Sequence, residues 1–276
     1  EFVPVTEELT ASVLKDRKHF PYISNIKPWE PYRAKMRYIL EKLRNTVRLV
    51  QSVRQSAGAT AKPLLGRTLP GPVGYNDAQQ LQADVEVVYH SLLSASSKAQ
   101  ARSFVQDLSI LVNTFGLHLT SIDFRQHSEQ NFKAVLEYLE LNHYAHASRL
   151  KSGSERDRQA VLLGIIGSTD DKDDALGEFN PWILPSMSKV SRDTWETILV
   201  FQDAARADSR AVGKFIISMC SNVSDILIIL TMMKIVGSLE SVGGVITSCD
   251  HDVTGLFETV EDLKAAPAII QDFLSI

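Results

Sequence analysis

Three short apolar runs, each followed at once by a long helical pattern, constrain this chain more than any other feature. Leu117 to Phe124 (LHLTSIDF) precedes a helix carrying Phe132, Val135, Leu136 and Leu139. Lys214 to Met219 (KFIISM) precedes SDILIILTMMKIVG, with a cap at Ser224 or Ser221 and a stop at Gly237. Val253 to Glu258 (VTGLFE) precedes a helix whose Thr259 and Asp262 have the spacing of a capping box. A strand followed by a helix, three times over, implies parallel pairing with crossovers. Three strands cannot close a barrel, and their edges would leave ladder groups unpaired. The expected fold is therefore α/β and helix-rich, a partial (β/α) barrel with long helical insertions.

The rest of the chain is organised around helices. From Pro31, Met36, Leu40, Leu43, Val47 and Val50 recur at three or four residues, which predicts an amphipathic helix to about Ser56 whose charged residues face water. Ser56 to Asp77 holds four glycines and three prolines without periodicity and reads as a flexible connector. Helices follow through Leu81, Val85, Val88 and Leu92, through Phe104 to Phe115 closed by Gly116, around Arg156 to Ile166, and from Thr194 to Ala207. This organisation reads as a single fragment, 1–276, of one larger domain. Residues 1–116 are mainly helical with the connector near 56–77, and 117–276 carry the strand-helix units. An opening on Glu1 and a stop at Ile276 just after an apolar helical stretch suggest that both ends are cuts.

Composition narrows the function by exclusion. A net charge of −4 with no Lys/Arg-rich run makes nucleic acid a poor partner. Two cysteines, Cys220 and Cys249, are too few for a disulfide framework and favour a reducing, intracellular compartment. The longest apolar run, Ile226 to Met233, falls far short of the ~20 residues that span a bilayer, so no membrane partner is expected. No glycine-rich nucleotide loop or serine-hydrolase elbow is present.

Catalytic groups of such barrels sit at the C-terminal ends of the strands. Arg125 follows one strand, the Ser221 to Ser224 turn another, and Glu258 ends the third. Alternation along 117–126 puts Asp123 and Arg125 on one face and Phe124 and Gln126 on the other. Taken alone, Arg125 reads as a structural residue paired with Asp123, Glu258 as a helix N-terminal residue favoured by the dipole, and Ser224 and Asp225 as cap and first-turn residues.

Three motifs alter that reading. FGLHLTSIDFRQHS (Phe115 to Ser128), FIISMCSNVSDIL (Phe215 to Leu227) and LFETVEDLKAAP (Leu256 to Pro267), with EPYRAKMRYILEKL (Glu30 to Leu43) as a weaker match, resemble the central part of phosphoenolpyruvate carboxylase in order and spacing. The resemblance implies a carbon-carbon lyase that carboxylates phosphoenolpyruvate with bicarbonate to oxaloacetate and phosphate, using Mg²⁺ or Mn²⁺, as a cytoplasmic homotetramer. By the same resemblance Arg125 would hold the substrate's anionic groups, as a planar fork of donors can. Glu258 would be a metal ligand, with Asp123 and Gln126 as supporting residues, Asp123 steadying the guanidinium. The family's upstream histidine motif and its downstream aspartate, lysine and arginine loop have no counterpart here, so this metal site is incomplete and no catalytic residue is assigned. The fragment alone is expected to be inactive. Asn131, where the family motif usually has a histidine, and the run GSTDDKDDALGEFN mark a divergent member, and a non-catalytic homologue acting as a helical scaffold is the alternative.

Other ligand-bearing runs have simpler explanations. Cys249 to Asp252 (CDHD) matches no zinc spacing and reads as a loop before a strand. His143 and His146 would share a helix face but lack a third ligand, and Asp170 to Asp174 (DDKDD) reads as a solvated loop.

Overall fold

The computed structural model describes residues 4–56, 73–95, 97–168 and 179–276. It divides into two compact units, Glu1–Thr120 and Ser121–Ile276. Most of the 56–77 connector and the DDKDD run lie outside the described residues.

The first unit is helical: α1 (Glu7–His19), α2 (Pro31–Ser56), α3 (Ala78–Ser94), and the short α4 (Lys98–Gln100), which runs through a π turn into α5 (Gln106–Phe115). Thr6 and Asp77 cap α1 and α3 by accepting from Leu9 N and Gln80 N. Leu9, Ile39, Tyr75, Leu81, Val85, Val88 and Val112 form the core. The bounds of α2 fall where the sequence places them, but its orientation does not. Met36, Leu40, Val47 and Val50 are exposed, whereas Ala34, Lys35, Tyr38, Ile39, Lys42 and Asn45 are buried.

Two lysines can point inward because carboxylates meet them. Lys35 Nζ donates to Ser12 Oγ and Asp16 Oδ2 at 2.7 Å and also to Asp84 Oδ1. Lys42 Nζ bridges Asp16 Oδ1 at 2.6 Å and Asp84 Oδ2 at 2.8 Å, and the Tyr75 hydroxyl donates to Asp84 at 2.7 Å. A buried ionic ring thus ties α1, α2 and α3 together, and a hydrophobic periodicity argument cannot see it.

The second unit holds a parallel sheet in the order β1 (Ile122–His127), β2 (Val212–Ser218), then a strand at Asp252–Gly255. A separate antiparallel hairpin, β3 (Leu239–Val242) with β4 (Val245–Cys249), precedes that third strand, which is β5. The helices are α6 (Ser128–Leu141), α7 (Ala147–Ser152), α8 (Glu155–Ile166), α9 (Lys189–Ala207), α10 (Val223–Ile235) and α11 (Val260–Leu274). Phe215 and Ile217 of β2 enter the core with Tyr138, Trp195, Phe201 and the almost wholly buried α10. Asp123, Arg125, Lys214 and Thr254 lie exposed on the opposite side of the sheet. The fold is a helix-rich α/β arrangement with a small parallel sheet.

Several expected boundaries move. The first strand begins at Ile122 rather than Leu117, because Gly116 (φ 54) and Leu119 (φ 69) take left-handed conformations that no strand allows. β5 ends at Gly255, although Leu256 N still donates to Ile217 O at 2.9 Å. The cap of α10 is Asn222 rather than either serine, while the Thr259/Asp262 capping box is present. The hairpin was not expected, although Gly243 and Gly244, both at positive φ, are the residue pair that a two-residue hairpin turn selects.

Candidate functional site at the strand ends

Parallel pairing brings the ends of β1 and β2 together, with Arg125 opposite Ile216 and His127 opposite Ser218. After Ser218, Met219 takes φ 56 and turns the chain sharply toward α10. The Ser128 hydroxyl at the start of α6 donates to Met219 O at 2.9 Å and pins that turn. Gly255 admits the turn closely, since a Cβ there would lie 2.8 Å from Cys220 Sγ. Burial pushes the Cys220 thiol up to about 12, so it stays protonated and unreactive.

Arg125 and Glu258 meet at this edge. The guanidinium donates through Nη2 to Glu258 Oε1 at 2.8 Å and through Nε to Ser218 Oγ at 2.5 Å. Both ionic side chains remain partly exposed, Arg125 at 55% and Glu258 at 32%, whereas Ser218 is buried. Ser218 escaped the sequence reading. Its signal was the period of two along β2, which sets Ile216 and Ser218 on the side away from Phe215 and Ile217.

The remaining expected residues go elsewhere. Asp123 turns across to β2, where its Oδ1 accepts from the Lys214 backbone N–H at 2.7 Å. Gly213 makes room for that contact, since a Cβ there would sit 2.0 Å from Asp123 Oδ1. Gln126 faces the helical layer and donates to Thr194 Oγ1 at 3.1 Å. Asp225 caps α10 by accepting from Ser221 N and Asn222 N, both at 2.9 Å; burial raises its pKa over the lowering effect of those bonds. Ser224 donates its N–H and hydroxyl to Glu155 at 2.9 and 2.7 Å.

The ligand-bearing runs do not converge. His251 is buried against the Phe201 ring with centroids 4.3 Å apart, and Cys249 Sγ lies against His251 O and Met233 Sδ. Desolvation lowers the His251 pKa. His143 and His146 fall in the turn between α6 and α7 rather than on a helix. Among the described residues no group of three His, Cys, Asp or Glu side chains could hold a metal ion. No described helix is long and apolar enough to cross a membrane. Asn131 is fully buried, and neither its amide nitrogen nor its oxygen has a hydrogen-bond partner among the described residues.

Comparison with known proteins places this geometry in context. The sequence model of a family described as phosphoenolpyruvate carboxylase matches residues 1–276. A phosphoenolpyruvate carboxylase of Rhodopseudomonas palustris (strain BisB5) is 29% identical over 285 residues, covering 99% of this chain and 26% of its own length. That of Bradyrhizobium diazoefficiens is 30% identical, with 99% and 26% covered, and that of Aeromonas hydrophila is 30% identical, with 90% and 24% covered. The chain thus spans about a quarter of the length of the curated relatives it matches.

Proposed function

From the premise that this chain belongs to the phosphoenolpyruvate carboxylase family, we propose that it is a section of an enzyme that joins phosphoenolpyruvate and bicarbonate into oxaloacetate and phosphate. The observation that carries this reading is the convergence of Arg125 and Glu258 at the C-terminal edge of a parallel sheet, 2.8 Å apart. Arg125 is the anion-binding group: its planar fork of donors suits a carboxylate or phosphate. Asp123 supports the site indirectly, by fixing the register of β1 on β2, and Gln126 supports it by anchoring β1 to α9. The open sheet, with helices packed against one side, is in keeping with part of a (β/α) barrel.

Mg²⁺ or Mn²⁺ would take Glu258 as one oxygen ligand, and such ions keep several waters beside one or two carboxylates. A partly exposed carboxylate fits part of that requirement, and among the described residues no group of three such side chains gathers to complete it. The metal, when bound, would supply charge stabilisation for the developing oxyanion. The chain's own residues do the positioning. Ser218 holds Nε of Arg125, and the capping box at Thr259 and Asp262 fixes the backbone from which Glu258 projects. With one arginine and one metal carboxylate the chain alone does not turn over. The tetramer and the cytoplasm belong to the same proposal for the full-length protein.

The test is oxaloacetate formation by the full-length parent carrying Arg125→Ala or Glu258→Ala. Each substitution should lower kcat/KM by about a hundredfold or more, the size of losing one charge-stabilising donor or ligand. Unchanged kinetics would remove both assignments. The second reading, a non-catalytic scaffold, finds its support in the same ion pair, because a site whose two charged groups neutralise each other presents little net charge to a ligand.

A further inference from the structure

We infer that Glu258 occupies, in the unliganded chain, the position on Arg125 that an anionic ligand takes, so that anions bind there by exchanging one carboxylate for another. The inference rests on the proposed substrate role of Arg125. A guanidinium presents its side-on edge, Nε and Nη2, to a carboxylate or phosphate as two parallel bonds. Here that edge is divided between two anchors of unequal character.

Ser218 is the fixed one. It is buried, it is neutral, and the β1–β2 ladder sets its backbone. It orients the guanidinium without cancelling the charge. Glu258 is the exchangeable one. It sits outside β5, one residue before the cap of α11, with a side chain that remains partly exposed. An ion pair that wet is weak, so an incoming dianion can displace it. Among the described residues Nη1 has no hydrogen-bond partner, which leaves a donor for first contact before Glu258 leaves.

The pair therefore competes with anions for that edge, and the strength of exposed ion pairs bounds the competition at about fivefold in affinity.

The experiment follows the Arg125 side-chain Nε–H resonance by ¹H–¹⁵N NMR while phosphoenolpyruvate is added to the chelator-treated 276-residue chain. Glu258→Gln, which keeps the shape and removes the charge, should tighten phosphoenolpyruvate binding several-fold in the absence of metal. Glu261→Gln, which removes a nearby exposed carboxylate, should change it much less. Ser218→Ala should weaken binding both with and without the Glu258 substitution, and Ser218→Thr should restore it. Equal or weaker binding in Glu258→Gln than in the unsubstituted chain overturns the exchange while leaving the substrate role of Arg125 standing. An equal gain in both glutamine variants overturns it too, as a general charge effect. If phosphoenolpyruvate moves the Arg125 resonance in none of the chains, both the exchange and the substrate role fall.

Discussion

At the scale of single residues, the most consequential group is the fully buried lysine at position 35. Its charge is tolerable only because Asp16 and Asp84 accept from it, and removing one partner of a buried ionic network costs about 3–5 kcal/mol. Asp84 is pulled in two directions. Burial raises its pKa, but hydrogen bonds from Lys35, Lys42 and Tyr75 outweigh that and leave it below the ordinary carboxylate range. Burial lowers the pKa of Lys42, and its bonds to Asp16 and Asp84 outweigh that and raise it. A depressed carboxylate gives stability that is present above its unfolded pKa, about 4, and lost as pH falls through the folded value. A raised lysine gives stability that is complete below its unfolded pKa, about 10.4, and lost as pH rises through the folded value. Helical content followed in urea across pH should therefore show a plateau between these limits with a decline on each side. Asp84→Asn should lower the plateau by about 3 kcal/mol and flatten the acid decline. An acid decline unchanged in that variant would show that the ring is not its source.

At the scale of elements, the β3–β4 hairpin depends on its turn. Gly243 and Gly244 sit at φ +61 and +86, where a side chain bearing a Cβ is strained. Gly244→Val should cost the hairpin about 1–2 kcal/mol, read as faster amide exchange at Leu239 to Cys249 with the exchange of α10 unchanged. Equal protection in both chains would mean that another contact sets the turn. The elements also show what was legible beforehand. Helix bounds followed from Pro31, Gly237 and the Thr259/Asp262 pair, because caps and breakers are local chemistry. The buried side of α2 did not follow, because Lys35 and Lys42 turn inward only in the presence of Asp16 and Asp84, which lie on other helices. The start of β1 was obscured by Leu119, whose left-handed backbone interrupts an alternation that composition alone would continue. At the strand ends the contacts of Arg125 with Glu258 and Ser218, and of Asp123 with Lys214 N, were not legible, because they depend on a register that only pairing reveals.

At the scale of the whole molecule, the chain folds two units, and the second carries the Arg125–Glu258 pair at its sheet edge. Purified alone and supplied with phosphoenolpyruvate, bicarbonate and Mg²⁺, it should form no oxaloacetate above background in a coupled malate dehydrogenase assay. Metal-dependent formation would overturn the proposal that the catalytic groups lie largely outside these 276 residues. The parallel sheet has a further consequence, in time rather than in space. Ile122 of β1 pairs with Val212, about ninety residues later in the chain. At roughly 5–20 residues per second, a ribosome holds β1 without its partner for about 5–18 s. The described helices of the first unit, made before β1, can fold during that interval, whereas β1 must wait with Ile122 and its unpaired ladder groups open to wrong partners. The same crossover that gathers Arg125, Ser218 and Glu258 at one edge thus leaves β1 without its partner for that interval of synthesis.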